Sequence, residues 1–130
     1  MSNNLAPGVK AERSKILIAD DEETLLTMLS KELVYQGYEV CTAVDGEDAI
    51  SMLQRNSFDL ILLDIKMPRR NGFEVLKVIK ERYPMTKVVM LTGFGDLKNA
   101  IESRKLGADN FIAKPYDLVD LLSTVERLLN

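Results

Sequence analysis

One stretch predicts the fold of this chain: Asp59-Leu60-Ile61-Leu62-Leu63-Asp64-Ile65-Lys66-Met67-Pro68. Its run of large aliphatic residues is typical of a strand buried on both faces, as in parallel sheets. Pro68 has no backbone donor and a fixed φ, so the chain must leave the sheet before it. Asp64 is therefore predicted at the end of a central strand, at the sheet edge where open α/β proteins bind ligands. An aspartate that only caps a turn would leave the same local pattern.

The same alternation of apolar strand and amphipathic helix runs through the rest of the chain. Further strands are predicted over Lys15–Ala19, Glu39–Val44, Lys87–Thr92 and Asn110–Lys114. Strict alternation predicts an α/β fold, (βα)5, in which helices cover both faces of a doubly wound five-stranded parallel sheet. The first, third and fourth strands are the most uniformly apolar, so we place them in the centre. That gives the strand order 2-1-3-4-5 of the flavodoxin-like fold.

Length and composition predict one soluble globular domain. The 130 residues are 46% hydrophobic and 28% charged with a net charge of −3, so no broad basic surface indicates nucleic acid as a partner. The single Cys41 cannot form an internal disulfide, and we interpret it as a small buried residue of a cytoplasmic protein. No apolar run approaches the ~20 residues that a membrane span requires. We expect residues 1–13 to form a flexible tail and residues 14–130 to form the domain.

Polar residues gather at the predicted carboxyl ends of the strands. They are Asp20, Asp21, Asp64, Thr92 and Lys114. Each pair of carboxylates at ~4 Å repels by about 4 kcal/mol when the effective dielectric is near 20. Such a cluster either takes up protons or binds a cation. Oxygen ligands in a chain without histidine favour Mg²⁺ over zinc.

A carboxylate in such a cluster can act as a nucleophile toward phosphorus, which makes Asp64 a candidate acceptor. Lys114 and the Thr92 hydroxyl could then contact the phosphoryl oxygens, while Gly93 would keep side-chain bulk away. Each residue also has an ordinary structural explanation. The acids favour the positive end of a helix, threonine suits a strand, and a lysine can end a strand in solvent. The common place of these residues at one sheet edge favours a functional site.

Residues Lys15 to Asn130 resemble the receiver domain of two-component response regulators, including those of the chemotaxis and NtrC types. The resemblance rests on four motifs in order: Asp20-Asp21-Glu22, Asp64-Ile65-Lys66-Met67-Pro68 with Gly72 beyond, Leu91-Thr92-Gly93, and Lys114-Pro115. It implies that Asp64 is the phosphoacceptor. It also implies that Asp20, Asp21 and Asp64 hold Mg²⁺ together with the backbone carbonyl of Lys66.

The resemblance implies further roles for residues on the fourth and fifth strands. Thr92, Gly93 and Lys114 are expected to bind the phosphoryl group. Thr92 and Phe111 match the switch positions of the family, where the threonine moves toward the phosphoryl group and the ring fills the vacated space. The Lys114–Pro115 peptide bond is expected to be cis, which is uncommon for prolines in general.

The family tunes the lifetime of its acyl phosphate through the residues two after the acceptor and two after the threonine. Here these residues are Lys66 and Phe94. Neither carries a carboxylate or amide that could orient an attacking water, and Phe94 is bulky enough to shield phosphorus. Slow self-dephosphorylation is therefore expected.

The resemblance implies a signalling switch and not a turnover enzyme. The chain contains no histidine, so a sensor histidine kinase or a phosphotransfer protein is expected to supply the phosphoryl group. Phosphorylation is expected to change the surface of the fourth helix, the fifth strand and the fifth helix. That surface would control a downstream effector protein, an output domain missing from this chain, or a homodimer formed on phosphorylation.

Three other interpretations compete with this one. A haloacid-dehalogenase-type hydrolase would carry a second aspartate two residues after the nucleophile, where this chain has Lys66. A flavodoxin-like FMN binder would have hydroxyl and amide donors after the first strand, where this chain has acids. A receiver-like interaction module that works without phosphorylation would not need the intact acceptor, acids, threonine and lysine, but it stays an alternative.

Overall fold

Strands and helices alternate without exception in the computed structural model, which describes residues 13–93 and 97–130. The strands are β1 (Lys15–Ala19), β2 (Glu39–Ala43), β3 (Leu60–Asp64), β4 (Lys87–Thr92) and β5 (Asn110–Ala113). The helices are α1 (Glu23–Tyr35), α2 (Gly46–Arg55), α3 (Gly72–Arg82), α4 (Leu97–Lys105) and α5 (Leu118–Leu129). None of these helices, within the residues described, is long and apolar enough to cross a bilayer. Nearly all of the predicted tail, and Phe94, lie outside the described residues.

The strands form one parallel sheet in the order β2-β1-β3-β4-β5, which confirms the predicted topology. Every residue of β3 is buried, as its uninterrupted apolar run predicts for a central strand. The edge strands β2 and β5 each end one residue earlier than predicted. Val44 is already exposed beyond β2. Lys114 still donates its backbone N–H to the Thr92 carbonyl at 2.7 Å, but Pro115 follows it and the chain leaves the sheet.

Two apolar layers, one on each face of the sheet, hold the helices. Because side chains alternate along a strand, Leu17 and Ile61 lie in the layer shared with α2 and α3. Ile18 and Leu62 lie in the opposite layer, shared with α1 and α5. A shift of register by one residue would exchange the two layers, so the strands are fixed relative to one another. The carboxyl ends of β1, β3 and β4 therefore meet at a defined edge.

The beginning of α3 lies directly against the end of β3. Asn71 and Glu74 form a capping box, in which each side chain accepts the other residue's backbone N–H at 3.0 Å. The Gly72 N–H donates to the Ile65 carbonyl at 2.8 Å. A Cβ added to Gly72 would lie 2.8 Å from the Ile65 Cα and closer still to the Asp64 carbonyl oxygen. Only glycine permits this approach, which fixes the backbone behind Asp64.

Candidate functional site

Three aspartate side chains meet at the carboxyl edge of the sheet. Asp64 is the last residue of β3, and Asp20 and Asp21 directly follow the neighbouring strand β1. One carboxylate oxygen from each residue lies within 4.8 Å of the other two. Asp20 is fully buried and Asp64 is 5% exposed, whereas Asp21 is exposed. The cluster is therefore closed on the protein side and open to solvent at Asp21.

Hydrogen bonds fix the fully buried carboxylate of Asp20. Its Oδ1 accepts the Glu22 backbone N–H at 2.9 Å, and its own backbone N–H donates to the Ala43 carbonyl at 3.1 Å. Its Oδ2 accepts a hydrogen bond from Lys114 Nζ at 2.7 Å. A buried charge is tolerated only with such partners, so Asp20 and Lys114 depend on one another.

Lys114 is the cation of this cluster. Its Nζ lies 2.7 Å from Asp20 Oδ2, 3.5 Å from Glu22 Oε1 and 3.6 Å from Asp64 Oδ2. Burial alone would lower the pKa of Lys114, but the hydrogen bond to Asp20 and the surrounding negative charges outweigh it and raise the pKa. Lys114 therefore stays charged at neutral pH. The Lys114–Pro115 peptide bond is cis.

The pKa of the Asp64 carboxyl is raised from 3.8 to about 6. Burial is the largest cause, followed by the negative charge of Asp20; Asp21 adds to the same effect. The Lys114 charge and a hydrogen bond from the Lys66 backbone N–H lower this pKa but do not cancel the rise. Even with Lys114 nearby, ionisation of Asp64 therefore costs free energy, and a metal ion bound to the three carboxylates would lower that cost.

Thr92 lies at the same edge, at the end of β4 and one residue beyond Leu91, the register partner of Asp64. Its buried hydroxyl oxygen accepts a hydrogen bond from the Asn99 side-chain amide at 3.3 Å. Gly93 follows and is exposed, and a Cβ added there would meet no atom within 4 Å. Within the described residues, no steric contact therefore requires glycine at this position. The predicted contact of Gly93 with a phosphoryl group stays a prediction.

Phe111 is the second residue of β5, where its register partner is Met90; the partner of Thr92 is Ala113. Because side chains alternate, Phe111, Met90 and Thr92 lie on the same face of the sheet. Phe111 is half-buried and packs against the apolar layer that contains Met90. The two predicted switch residues are thus on adjacent strands and one face, offset by two residues.

Tyr116 is a neighbour of the site that the sequence patterns did not identify. Its hydroxyl oxygen is buried and has no hydrogen-bond partner among the residues described. Burial and then the nearby carboxylates of the site raise its pKa, so the phenol stays neutral. Its position two residues after Lys114 was the one feature of the sequence that could have linked Tyr116 to the site, and that position does not show that the hydroxyl is buried. Tyr116 borders a groove of ≈ 360 Å³ with Glu22, Leu25, Met28, Lys114 and Pro115.

A family model described as the response regulator receiver domain matches residues 16–126. Among curated relatives, the transcriptional regulatory protein CpxR of Escherichia coli (strain K12) is 36% identical over 116 residues, which are 89% of this chain and 49% of CpxR. The chain spans about half the length of the curated relatives it matches.

Solved structures with the same fold include two receiver domains. A CheY-like receiver domain protein from Methanospirillum hungatei JF-1 superimposes with a TM-score of 0.86 at 34% identity, covering 91% of this chain and 94% of that one. The receiver domain of NtrX from Brucella abortus has a TM-score of 0.83 at 33% identity, covering 88% of this chain and 97% of that one.

Proposed function

This chain belongs to the response regulator receiver domain family, and we propose that it accepts a phosphoryl group on Asp64 and thereby changes its surface toward a partner. Receiver domains of response regulators are regulatory phosphoacceptors in phosphorelay signalling and not turnover enzymes. The observation that carries the proposal is the environment of Asp64. Its buried carboxylate ends a central strand beside two further acids, with Lys114 Nζ 3.6 Å away.

Receiver domains bind Mg²⁺ at an acidic pocket, and the residues of this chain fit that ion. Asp20, Asp21 and Asp64 offer oxygen ligands only, and the Lys66 backbone carbonyl would add another. The exposed side of the cluster at Asp21 leaves room for the waters that Mg²⁺ retains. Bound there, Mg²⁺ would supply two positive charges beside the transferring phosphoryl group. The raised pKa of Asp64, caused first by burial and then by the negative charge of Asp20, supports this fit, because a cation would favour the ionised carboxylate.

In the proposed transfer, an ionised oxygen of Asp64 attacks the phosphorus of a phosphohistidine on a sensor histidine kinase or phosphotransfer protein. A P–O bond to Asp64 forms while the P–N bond to the donor imidazole breaks. The imidazole nitrogen keeps the electron pair and takes a proton from solvent. Phosphoryl transfer needs mainly charge neutralisation and alignment, which Lys114, the Thr92 hydroxyl and the Gly93 backbone N–H would provide.

The structural consequence we propose is a repacking of Thr92 and Phe111. A hydrogen bond from the Thr92 hydroxyl to a phosphoryl oxygen is charge-assisted and contributes ~1.5–3 kcal/mol. Moving the threonine side chain toward the phosphoryl group would open space on the face it shares with Phe111, which the ring can turn inward to fill. A bias of this size shifts the populations of two packings substantially.

We propose three kinds of partner that could respond to this change. Asn99 of α4 is hydrogen-bonded to Thr92, and Phe111 belongs to β5, whereas α5 covers the other face of the sheet. The surface of α4, β5 and α5 would present the change to an effector protein, to an output domain or to a second copy of the chain. CpxR is a transcriptional regulatory protein about twice as long as this chain, which supports an output domain as one of these partners.

The lifetime of the acyl phosphate is proposed to be long. Lys66 is exposed and has no carboxylate or amide to orient water, and Phe94 is expected to shield phosphorus. Decay of the phosphorylated chain, followed by intact mass after donor removal, compares the wild type with Phe94→Glu. An equal decay rate in the two proteins would contradict the shielding.

Labelling by acetyl phosphate or phosphoramidate in the presence of Mg²⁺ tests the phosphoacceptor. Wild type should gain one hydroxylamine-sensitive phosphoryl group by intact mass, and Asp64→Asn should gain none. Asp59→Asn is the matched control, because Asp59 precedes the same strand at the end opposite Asp64, and its carboxylate accepts the Lys15 backbone N–H at 2.8 Å. An unlabelled wild type would favour an interaction module that works without phosphorylation, and equal labelling of Asp64→Asn would show that the acceptor is another residue.

A further inference from the structure

The loop that follows Asp64, residues 65–71, packs its backbone against the first residue of α2. The Gly46 N–H donates to the Pro68 carbonyl at 3.4 Å. A Cβ added to Gly46 would lie 2.6 Å from the Arg70 carbonyl carbon and closer still to the oxygen. Side-chain carbons do not approach a backbone so closely, so this contact exists only because residue 46 is glycine.

Charged side chains join the same two segments. Arg69 Nε lies 3.5 Å from Asp45 Oδ2, and Arg70 Nε lies 3.4 Å from Glu47 Oε2. The other oxygen of Asp45 accepts the Asp48 backbone N–H at 2.8 Å, so this residue also caps α2. Arg69 has a φ of 71°, a conformation that a non-glycine residue keeps only when its surroundings impose it. Both ion pairs are partly exposed, so they stabilise the contact between the loop and α2 less than the backbone contact at Gly46 does.

The attached loop carries the backbone of Lys66 into the acid cluster. The Lys66 N–H is hydrogen-bonded to the Asp64 carboxylate. On the α3 side, the Gly72 N–H holds the Ile65 carbonyl at 2.8 Å. Lys66 thus lies between two backbone anchors, one at Gly72 and one at Gly46. The side chains of Ile65 and Met67 are buried on either side of Lys66, so the loss of one anchor would shift the Lys66 peptide relative to the cluster without releasing the segment.

We propose that Gly46 is a positioning residue for the Mg²⁺ site. Through its contact with residues 68–70 it holds the Lys66 backbone beside the three aspartates and thereby sets the affinity for the ion. Gly46 contacts neither the ion nor the phosphoryl group and acts only through the loop. Asp45 supports the same contact through Arg69. The inference rests on the proposed function, because it uses Lys66 as a ligand.

The Mg²⁺ affinity of Gly46→Ala tests this inference by isothermal titration calorimetry on the unphosphorylated chain. Alanine favours a helix more than glycine does, so α2 itself is not weakened. The clash with Arg70 must instead be relieved by moving the loop. We expect the Kd for Mg²⁺ to rise about tenfold, as when other residues that orient metal ligands are changed.

Gly37→Ala is the matched control. Gly37 has a φ of 104°, and a Cβ added there would meet no atom within 4 Å. Alanine strains the backbone at the end of α1, so the variant should unfold at lower urea concentration than the wild type. Its Kd for Mg²⁺ should equal that of the wild type. This comparison separates positioning of the loop from a general loss of stability.

A folded Gly46→Ala chain with the wild-type Kd for Mg²⁺ would overturn the inference. If Gly46→Ala does not fold, Asp45→Asn carries the test, because asparagine keeps the helix cap and loses only the charge facing Arg69. We then expect a smaller rise in Kd that disappears at high salt, and an unchanged Kd at low salt would overturn the inference. A wild-type chain that binds no Mg²⁺ would contradict the proposed function itself.

Discussion

The side-chain amide of Asn99 donates a hydrogen bond to the hydroxyl oxygen of Thr92, with 3.3 Å between Nδ2 and Oγ1. Thr92 ends β4 and Asn99 lies in the first turn of α4, so this bond joins the acid cluster's edge of the sheet to a helix. Within α4, the Ser103 hydroxyl donates to the Asn99 carbonyl at 2.7 Å. A movement of Thr92 toward a phosphoryl group must therefore break this bond or pull α4 with it.

Thr92→Ala should still accept a phosphoryl group on Asp64 but transmit it poorly. The variant lacks the charge-assisted hydrogen bond of ~1.5–3 kcal/mol that biases the packing of Phe111. Phosphorylation-dependent NMR shifts around Phe111 should be large in the wild type and small in the variant. Thr92→Ser keeps a hydroxyl and should restore them.

Thr86→Ala is the control for this comparison. The Thr86 hydroxyl donates to the Phe58 carbonyl at 2.9 Å at the other end of β4, so the variant loses a buried hydrogen bond far from the site. It should lower stability and leave the shifts at Phe111 intact. Identical shifts in the wild type and Thr92→Ala would remove Thr92 from the mechanism.

Magnesium should stabilise the fold by mass action, and Asp21→Ala should abolish most of this effect. At a Mg²⁺ concentration one hundred times Kd, binding to the native state alone adds about 2.7 kcal/mol. Differential scanning calorimetry with and without Mg²⁺ measures the effect. Asp120→Ala, an exposed aspartate of α5, should respond to Mg²⁺ as the wild type does. A wild-type Tm indifferent to millimolar Mg²⁺ would count against the metal site.

Asp64→Asn should stabilise the metal-free protein at pH 7.5, by about 1–3 kcal/mol in urea unfolding with EDTA present. The folded-state pKa of Asp64 is about 6 and lies above the ordinary value of 3.8, so the native state binds this proton more tightly. Its contribution to stability is therefore present below pH 4 and lost as the pH rises through 6. The gain from asparagine should shrink toward pH 5, and a gain independent of pH would refute this explanation.

Gly72→Ala should lower the free energy of unfolding by about 2–3 kcal/mol, because its Cβ would be forced against the backbone of Asp64 and Ile65. Gly93→Ala makes the same chemical change where an added Cβ meets no atom within 4 Å, so it should cost little. Urea unfolding of both variants measures the difference. Equal losses in the two would show that the end of β3 tolerates a side chain at residue 72.

The central strands could be predicted from the sequence because a strand buried on both faces consists almost entirely of apolar residues. Strands β1 and β4 have the predicted bounds. Glycine or proline residues lie just beyond the ends of several helices. The ends of the edge strands β2 and β5 were predicted less well. Val44 is a residue type common in strands, and Lys114 directly follows an apolar run, so both were assigned to a strand. The last residue of an edge strand depends on its hydrogen bonds to the single neighbouring strand and on its exposure to solvent, which the local sequence does not show.

The acid cluster could be anticipated because parallel strands bring their carboxyl ends together. The contacts around it could not. The approach of Gly46 to Arg70 and the burial of the Tyr116 hydroxyl depend on packing between segments distant in sequence. Asp45 and Gly46 by themselves indicate only the beginning of a helix, because local sequence does not show which backbone lies opposite them.

The hydrogen bond between Lys114 and Asp20 joins residues 94 positions apart, which has a consequence for folding order. The acids of the cluster lie at the ends of the earlier strands β1 and β3, and Lys114 directly follows the last strand, β5. A partly folded chain without β5 would bury Asp20 beside Asp64 with no compensating charge, so that intermediate is disfavoured. Association of β1 with β3 before β5 has joined the sheet is therefore unfavourable. We expect a single cooperative folding transition whose rate is limited by this long-range closure.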